Sequence, residues 1–133
     1  MEGRAPPMAE EKKTILLVED EHHVRDIAKI VLEMEGYRVL EAENGKQALD
    51  VLAGCTPDLI ISDIMMPQMD GVEFFLTLKE SEKTSSLPVI ILTVKSQFED
   101  KKYASLLGMD EYMTKPFDPR DLVKKVRELL KNR

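Results

Sequence analysis

The chain has one cysteine, Cys55, so no disulfide can form within it, and that usage fits a reducing, cytoplasmic setting. It has no apolar run approaching the ~20 residues that a bilayer-spanning helix needs. Nor has it an excess of basic residues: 19 Lys and Arg face 25 Asp and Glu, and a net charge of −6 leaves no electrostatic footprint for direct nucleic-acid binding. The opening MEGRAPPMAEEKK carries charges and two prolines but no apolar core, so it is not a secretory signal. Residues 1–12 read as a flexible tail and residues 13–133 as the domain. No internal repeat or low-complexity stretch interrupts the rest. What remains is an ordinary globular mixture, 43% hydrophobic and 33% charged, long enough for one domain with its own core.

Five short apolar runs alternate with longer amphipathic ones. TILLV (14–18), YRVLEA (37–42), DLIISD (58–63), PVIILT (88–93) and EYMT (111–114) read as strands. The first, third and fourth are continuously apolar, as strands covered on both faces should be, whereas YRVLEA alternates and suits an edge. Helix patterns lie between them. Val24, Ile27, Ala28 and Val31 form one stripe, ended by Gly36; Asn44 opens a second helix with Ala48, Leu49 and Leu52 inward. Asp70 should cap a third, with Val72, Phe75 and Leu76 inward. Ser96 and Glu99 have capping-box spacing ahead of Tyr103, Leu106 and Leu107. Asp118-Pro119 opens the last, which carries Leu122, Val126, Leu129 and Leu130. Cys55, beside Ala53 and Gly54, reads as a small packed thiol at a helix end. The alternation predicts an α/β domain, a parallel sheet between helical layers with right-handed crossovers. Ligands of such sheets sit beyond the carboxyl ends of the strands.

At those ends acids collect. ILLVEDE places Glu19, Asp20 and Glu21 straight after the first strand, and Asp63 ends the third. Two carboxylates about 4 Å apart repel by roughly 4 kcal/mol at an effective dielectric near 20, so the cluster needs a counter-charge. Lys115, after the fifth strand, offers a single cation. A hard divalent ion supplies the remainder, and oxygen ligands with no His or Cys among them favour Mg2+, or Mn2+, over zinc. Helix capping explains Glu21 without a metal but explains Asp63 poorly, because a loop follows it. His22 and His23 read as solvent-facing. Asp63 as an attacking carboxylate, Lys115 as a phosphoryl partner and Thr93 as a hydroxyl donor match the needs of phosphoryl transfer. The same residue types also suit a metal-dependent phosphatase or a phosphate-binding site.

Together, ILLVEDE, DLIISDIMMPQMDG, PVIILT and DEYMTKPF resemble the receiver domain of two-component response regulators, over residues 14 to about 131. The resemblance implies a flavodoxin-like, doubly wound (βα)5 fold with strand order 2-1-3-4-5. It implies that Asp63 accepts the phosphoryl group, with Thr93 and Lys115 assisting. Asp20 would ligate Mg2+ directly, Glu19 through water, Asp63 by its carboxylate and Met65 by its backbone carbonyl. Glu19 stands where the family's pair is usually aspartate. The Lys115–Pro116 peptide would be cis, and Tyr112 would be the aromatic that turns with Thr93 when the switch is thrown.

Three further positions bear on rate and lifetime. Val94 occupies a place usually small in the family and should narrow access to the site. Met65 and Lys95 flank the path of attacking water, and their types point to a long-lived phosphoryl group. The donor would be a histidine kinase or histidine phosphotransfer protein. The output face would be the Ser96–Leu107 helix, the fifth strand and the last helix, acting on a downstream protein, on an effector domain beyond Arg133, or in a homodimer. Two other readings stay open: an interaction module that is never phosphorylated, and a metal-dependent phosphohydrolase.

Overall fold

The computed structural model describes residues 12–63, 71–94 and 111–131. The 1–12 tail but for its last residue, the Asp70 cap, the Ser96–Leu107 helix pattern, Met65 and Lys95 lie outside them, as do the side chains of Val72, Thr93 and Val94. In chain order the elements are β1 (Thr14–Val18), α1 (His22–Met34), β2 (Arg38–Ala42), α2 (Gly45–Gly54), β3 (Leu59–Asp63), α3 (Gly71–Glu80), β4 (Val89–Val94), β5 (Glu111–Lys115) and α4 (Pro119–Lys131). All strand pairs are parallel, and the sheet order is β2-β1-β3-β4-β5. The alternating strand is an edge, as expected. The continuously apolar strands are central.

The two-residue period of a strand divides the core. Leu16, Val18, Ile60, Val89 and Ile91 face one way, against Ala48 and Leu52 of α2 and Phe74, Phe75 and Leu78 of α3. Ile15, Leu17, Leu59, Ile61, Ile90, Leu92 and Met113 face the other, against Ala28 and Leu32 of α1 and Leu122, Val126 and Leu130 of α4. Both faces of the central strands are thus dry. At the opposite end from the site, Asp58 ties the sheet together: its Oδ2 accepts the Thr14 N–H at 2.7 Å while its own N–H donates to the Thr14 carbonyl at 2.7 Å.

Local chemistry sets the helix ends. Asn44 Oδ1 accepts the Gln47 N–H at 2.8 Å, and Gln47 Oε1 accepts the Glu43 N–H at 2.9 Å, a reciprocal cap. Asp118 Oδ1 accepts the Arg120 N–H at 2.8 Å at the start of α4. The end of α1 is a Schellman motif, with Tyr37 N–H to the Leu32 carbonyl, Gly36 N–H to the Glu33 carbonyl, and Gly36 at φ 95°.

Two inward stripes differ from the expected ones. On α1 the buried residues are Ala28 and Leu32, with Ile27 half exposed at 50%. On α3 they are Phe74, Phe75 and Leu78, with Leu76 at 49%. Each helix carries more apolar residues than one stripe can hold, and the face is set by the i, i+4 pair that meets the sheet: 28 with 32, and 74 with 78. Glu21 precedes α1 as its cap residue, but its side chain makes no capping bond; its backbone carbonyl accepts the Arg25 N–H at 3.0 Å instead.

Candidate functional site

Strand parity brings the site residues to one side. Glu19 follows β1 in the phase of Ile15 and Leu17, Asp63 ends β3 in the phase of Leu59 and Ile61, and Lys115 ends β5 in the phase of Met113. All three therefore sit at the carboxyl edge over the layer formed by α1 and α4. This edge is also where connections from β1 and β3 leave toward opposite sides, the crevice in which open α/β sheets hold ligands.

There, Lys115 Nζ lies 2.7 Å from Glu19 Oε1 and 2.9 Å from Asp63 Oδ2. Glu19 is fully buried and Asp63 nearly so, while Asp20 is exposed. One carboxylate oxygen from each of Glu19, Asp20 and Asp63 falls within 4.8 Å of the other two. Of the acids in ILLVEDE and DLIISD, Glu19, Asp20 and Asp63 thus converge beside Lys115, and the Glu21 side chain stays outside the cluster. The Lys115–Pro116 peptide is cis.

The electrostatics are unbalanced by design of the chain. Burial, reinforced by the negative charge of Asp63, pushes the Glu19 carboxyl up to about 7, against the opposing pull of Lys115 and of the Glu21 N–H that donates to its Oε2 at 3.0 Å. Burial disfavours the charge on Lys115, but its contacts with Glu19 and Asp63 outweigh that and raise its pKa. Two buried carboxylates thus share one firmly charged ammonium. Glu19 Oε1 is buried and, among the described residues, has no hydrogen bond; its contact with Lys115 is an ion pair without hydrogen-bond alignment. A buried carboxyl oxygen in that condition, beside two more carboxylates and no nitrogen or sulfur ligand in the cluster, fits a hard divalent cation, whose charge would favour the ionised form.

Around this centre, Tyr112 projects outward from β5, 47% exposed, and lines a groove with Glu111, Phe117, Asp121 and Lys125. His22 and His23 are exposed, as expected, and His22 pairs with Asp26 at 3.0 Å. Cys55 is half buried just past α2. One residue went unremarked in the sequence: Arg25, whose Nη1 donates to the Glu19 carbonyl at 2.8 Å. A signal was present. A cation in the first turn of a helix opposes the macrodipole, so Arg25 needed a partner from elsewhere to justify its place.

The family model described as "Response regulator receiver domain" matches residues 15–127. The phosphate regulon transcriptional regulatory protein PhoB of Pseudomonas aeruginosa is 44% identical over 119 residues, which cover 90% of this chain and 52% of that protein. Histidine kinase P4 of Formosa agariphila is 43% identical over 123 residues, 92% of this chain and 9% of that one. This chain therefore spans about half of the first relative and a small part of the second. Among solved structures, the receiver domain of a sensor histidine kinase from Pseudomonas aeruginosa, with a magnesium ion coordinated in its active site cleft, superposes with a TM-score of 0.82 at 28% identity, covering 90% of this chain and 98% of that one.

Proposed function

The chain belongs to the response regulator receiver family of two-component signalling, and we propose that it works as a phosphoacceptor switch in which Asp63 takes a phosphoryl group in a Mg2+-dependent reaction. The observation that carries this reading is Asp63 itself: a nearly buried carboxylate at a strand end, 2.9 Å from Lys115 Nζ and clustered with Glu19 and Asp20. A merely structural acid has no need of two acidic neighbours.

The donor is the phosphohistidine of a kinase or phosphotransfer protein. An Asp63 oxygen attacks phosphorus; the new O–P bond forms as the N–P bond breaks, and the electron pair leaves on the imidazole nitrogen, which takes up a proton. Glu19, Asp20, Asp63 and the Met65 carbonyl would hold Mg2+, which when bound neutralises charge on the phosphoryl oxygens. Lys115 meets a further oxygen, and Thr93 donates its hydroxyl to another. Asp63 gains roughly two negative charges, and Lys115 and Thr93 re-partner toward them. Tyr112 then leaves its exposed position, altering the face around Glu111, Phe117 and Lys125 that a downstream protein, an effector domain or a second copy reads. Such a two-state element needs only differential interaction with the new charge. The setting is the cytoplasm, and no separate substrate turns over.

Intact-mass measurement after incubation with Mg2+ and acetyl phosphate tests this. One phosphoryl group is expected on the wild type and none on Asp63→Asn. Absence of uptake even from a competent kinase would leave an interaction module, and sustained phosphate release from an added phosphoester would mark a phosphohydrolase. A second expectation concerns access. Val94, in register with Lys115 on β5, is larger than the residue usual at its position, so Val94→Ala should accelerate labelling by acetyl phosphate. Stopped-flow or mass-based time courses would show it, and unchanged or slower labelling would defeat it. Met65 and Lys95 are proposed to lengthen the life of the phosphoryl group, a role read from their residue types.

A further inference from the structure

We infer that Arg25 is a positioning residue for the acidic pair: its guanidinium fixes the Glu19–Asp20 peptide plane and so aims the Asp20 carboxylate at Asp63. The inference rests on the Mg2+-dependent reading above. Glu19 is held on every side. Its N–H donates to the Ala42 carbonyl at 3.0 Å, extending the β1–β2 ladder past the end of β1. Its carboxylate is held by Lys115 and by the Glu21 N–H. Its carbonyl, beyond the last ladder bond, is held by Arg25 Nη1 at 2.8 Å.

Asp20 is different. It is exposed, and with the described residues its carboxylate makes no hydrogen bond or ion pair, yet one of its oxygens lies within 4.8 Å of those of Glu19 and Asp63. With no side-chain partner to hold it, the reach of this carboxylate toward the cluster is set by where the backbone places the Asp20 Cα–Cβ bond. Because a peptide unit is planar, fixing the Glu19 carbonyl fixes the Asp20 N–H and the path of the chain into Asp20. Arg25 supplies that constraint from the first turn of α1.

The guanidinium is itself braced. Its Nε lies 3.4 Å from Glu41 Oε1 and its Nη2 lies 3.9 Å from Glu43 Oε1, and the side chain is only 12% exposed. Lys29 holds Glu41 from the next turn at 3.1 Å. The charge of Arg25 is thus matched by carboxylates facing Nε and Nη2, while Nη1 of its planar fork serves the carbonyl. A lysine has no second edge to do both.

The sign of one measurement separates positioning from electrostatics. Deleting a cation near an acidic cluster, by charge alone, would tighten Mg2+ binding. Loss of a positioning contact weakens it, by about tenfold where supporting residues around a metal have been removed. Titration calorimetry of the full chain with Mg2+ should therefore show a dissociation constant about tenfold higher for Arg25→Ala, with Arg25→Lys in between and Leu32→Ala, which loosens α1 but keeps the carbonyl contact, unchanged. In the metal-free protein the Asp20 amide nitrogen resonance should move in Arg25→Ala and stay in Leu32→Ala. If Arg25→Ala does not fold, Arg25→Lys is read on both measurements. Unchanged or tighter Mg2+ binding by the Arg25 variants, or an equal loss in Leu32→Ala, overturns the inference while leaving the functional reading intact. Failure of the wild type itself to bind Mg2+ overturns both.

Discussion

In the absence of divalent cations, the protein should lose about 3 kcal/mol of folding stability between pH 5 and pH 8 through Glu19 alone, and Glu19→Gln should abolish that loss. The sign follows from where the proton sits. In the unfolded chain the Glu19 carboxyl ionises near its ordinary 4.5, whereas in the folded protein burial holds it protonated up to about 7. Below the first value both states carry the proton and nothing is lost. Between the two only the folded state keeps it, so stability falls as pH rises; above about 7 both are ionised and the curve levels. Glutamine mimics the protonated form at every pH. The variant should match the wild type near pH 5 and exceed it by about 3 kcal/mol at pH 8, as the same pKa difference requires.

Urea unfolding in chelator at both pH values measures this, and the difference between variant and wild type removes the contributions of all other titrating groups. Mg2+ should reverse the wild-type penalty, because an ion that binds only the folded state stabilises it by about 2.7 kcal/mol at a hundredfold excess over its Kd. Glu19→Gln, with one fewer anionic ligand, should gain less. A variant-minus-wild-type difference that stays flat across the range would mean that the carboxyl is hydrated in solution, and the cluster would then lack its electrostatic tension.

That tension was partly legible in the residues. Three acids after an apolar strand and one more after another required a counter-charge, and Lys115 was the cation in reach; the structure clusters Glu19, Asp20 and Asp63, sets Lys115 on Glu19 and Asp63, and leaves the Glu21 side chain out. The strands were equally readable, because a continuous apolar run such as residues 15–18 or 59–61 has no alternative to burial on both faces. The helices were less so. Ile27, Ile30 and Leu76 are apolar yet half exposed, and periodicity cannot tell which of two overlapping stripes meets the sheet. For Arg25 the local pattern showed only that a partner was needed, not which one: its partners are the Glu19 carbonyl, Glu41 of β2 and Glu43 just past it, contacts made only once β2 lies beside β1. Strand order itself came with the resemblance, since local periodicity fixes which segments are strands and not which are neighbours.

Lys115→Met should move two measurements in opposite directions. Methionine keeps the length of the lysine stem and removes its charge, so the buried Glu19 and Asp63 carboxylates lose their shared ammonium. Breaking a buried ion pair from one side is costly, and the metal-free variant should be about 3 kcal/mol less stable at pH 8. At pH 5 the cost should shrink, because Glu19 can take a proton in place of the lost partner. Mg2+ binding should instead tighten, by about tenfold if the effect is worth about 1.4 kcal/mol, because Lys115 is a cation already paired with the Glu19 and Asp63 carboxylates on which a divalent ion would draw. Calorimetry with Mg2+ reads the second effect and urea unfolding in chelator the first. If Mg2+ binding weakened together with stability, Lys115 would be a prop that holds the carboxylates in place. If it tightened while stability fell, the lysine is a resident counter-ion that the metal displaces in part, left free to turn toward an incoming phosphoryl oxygen.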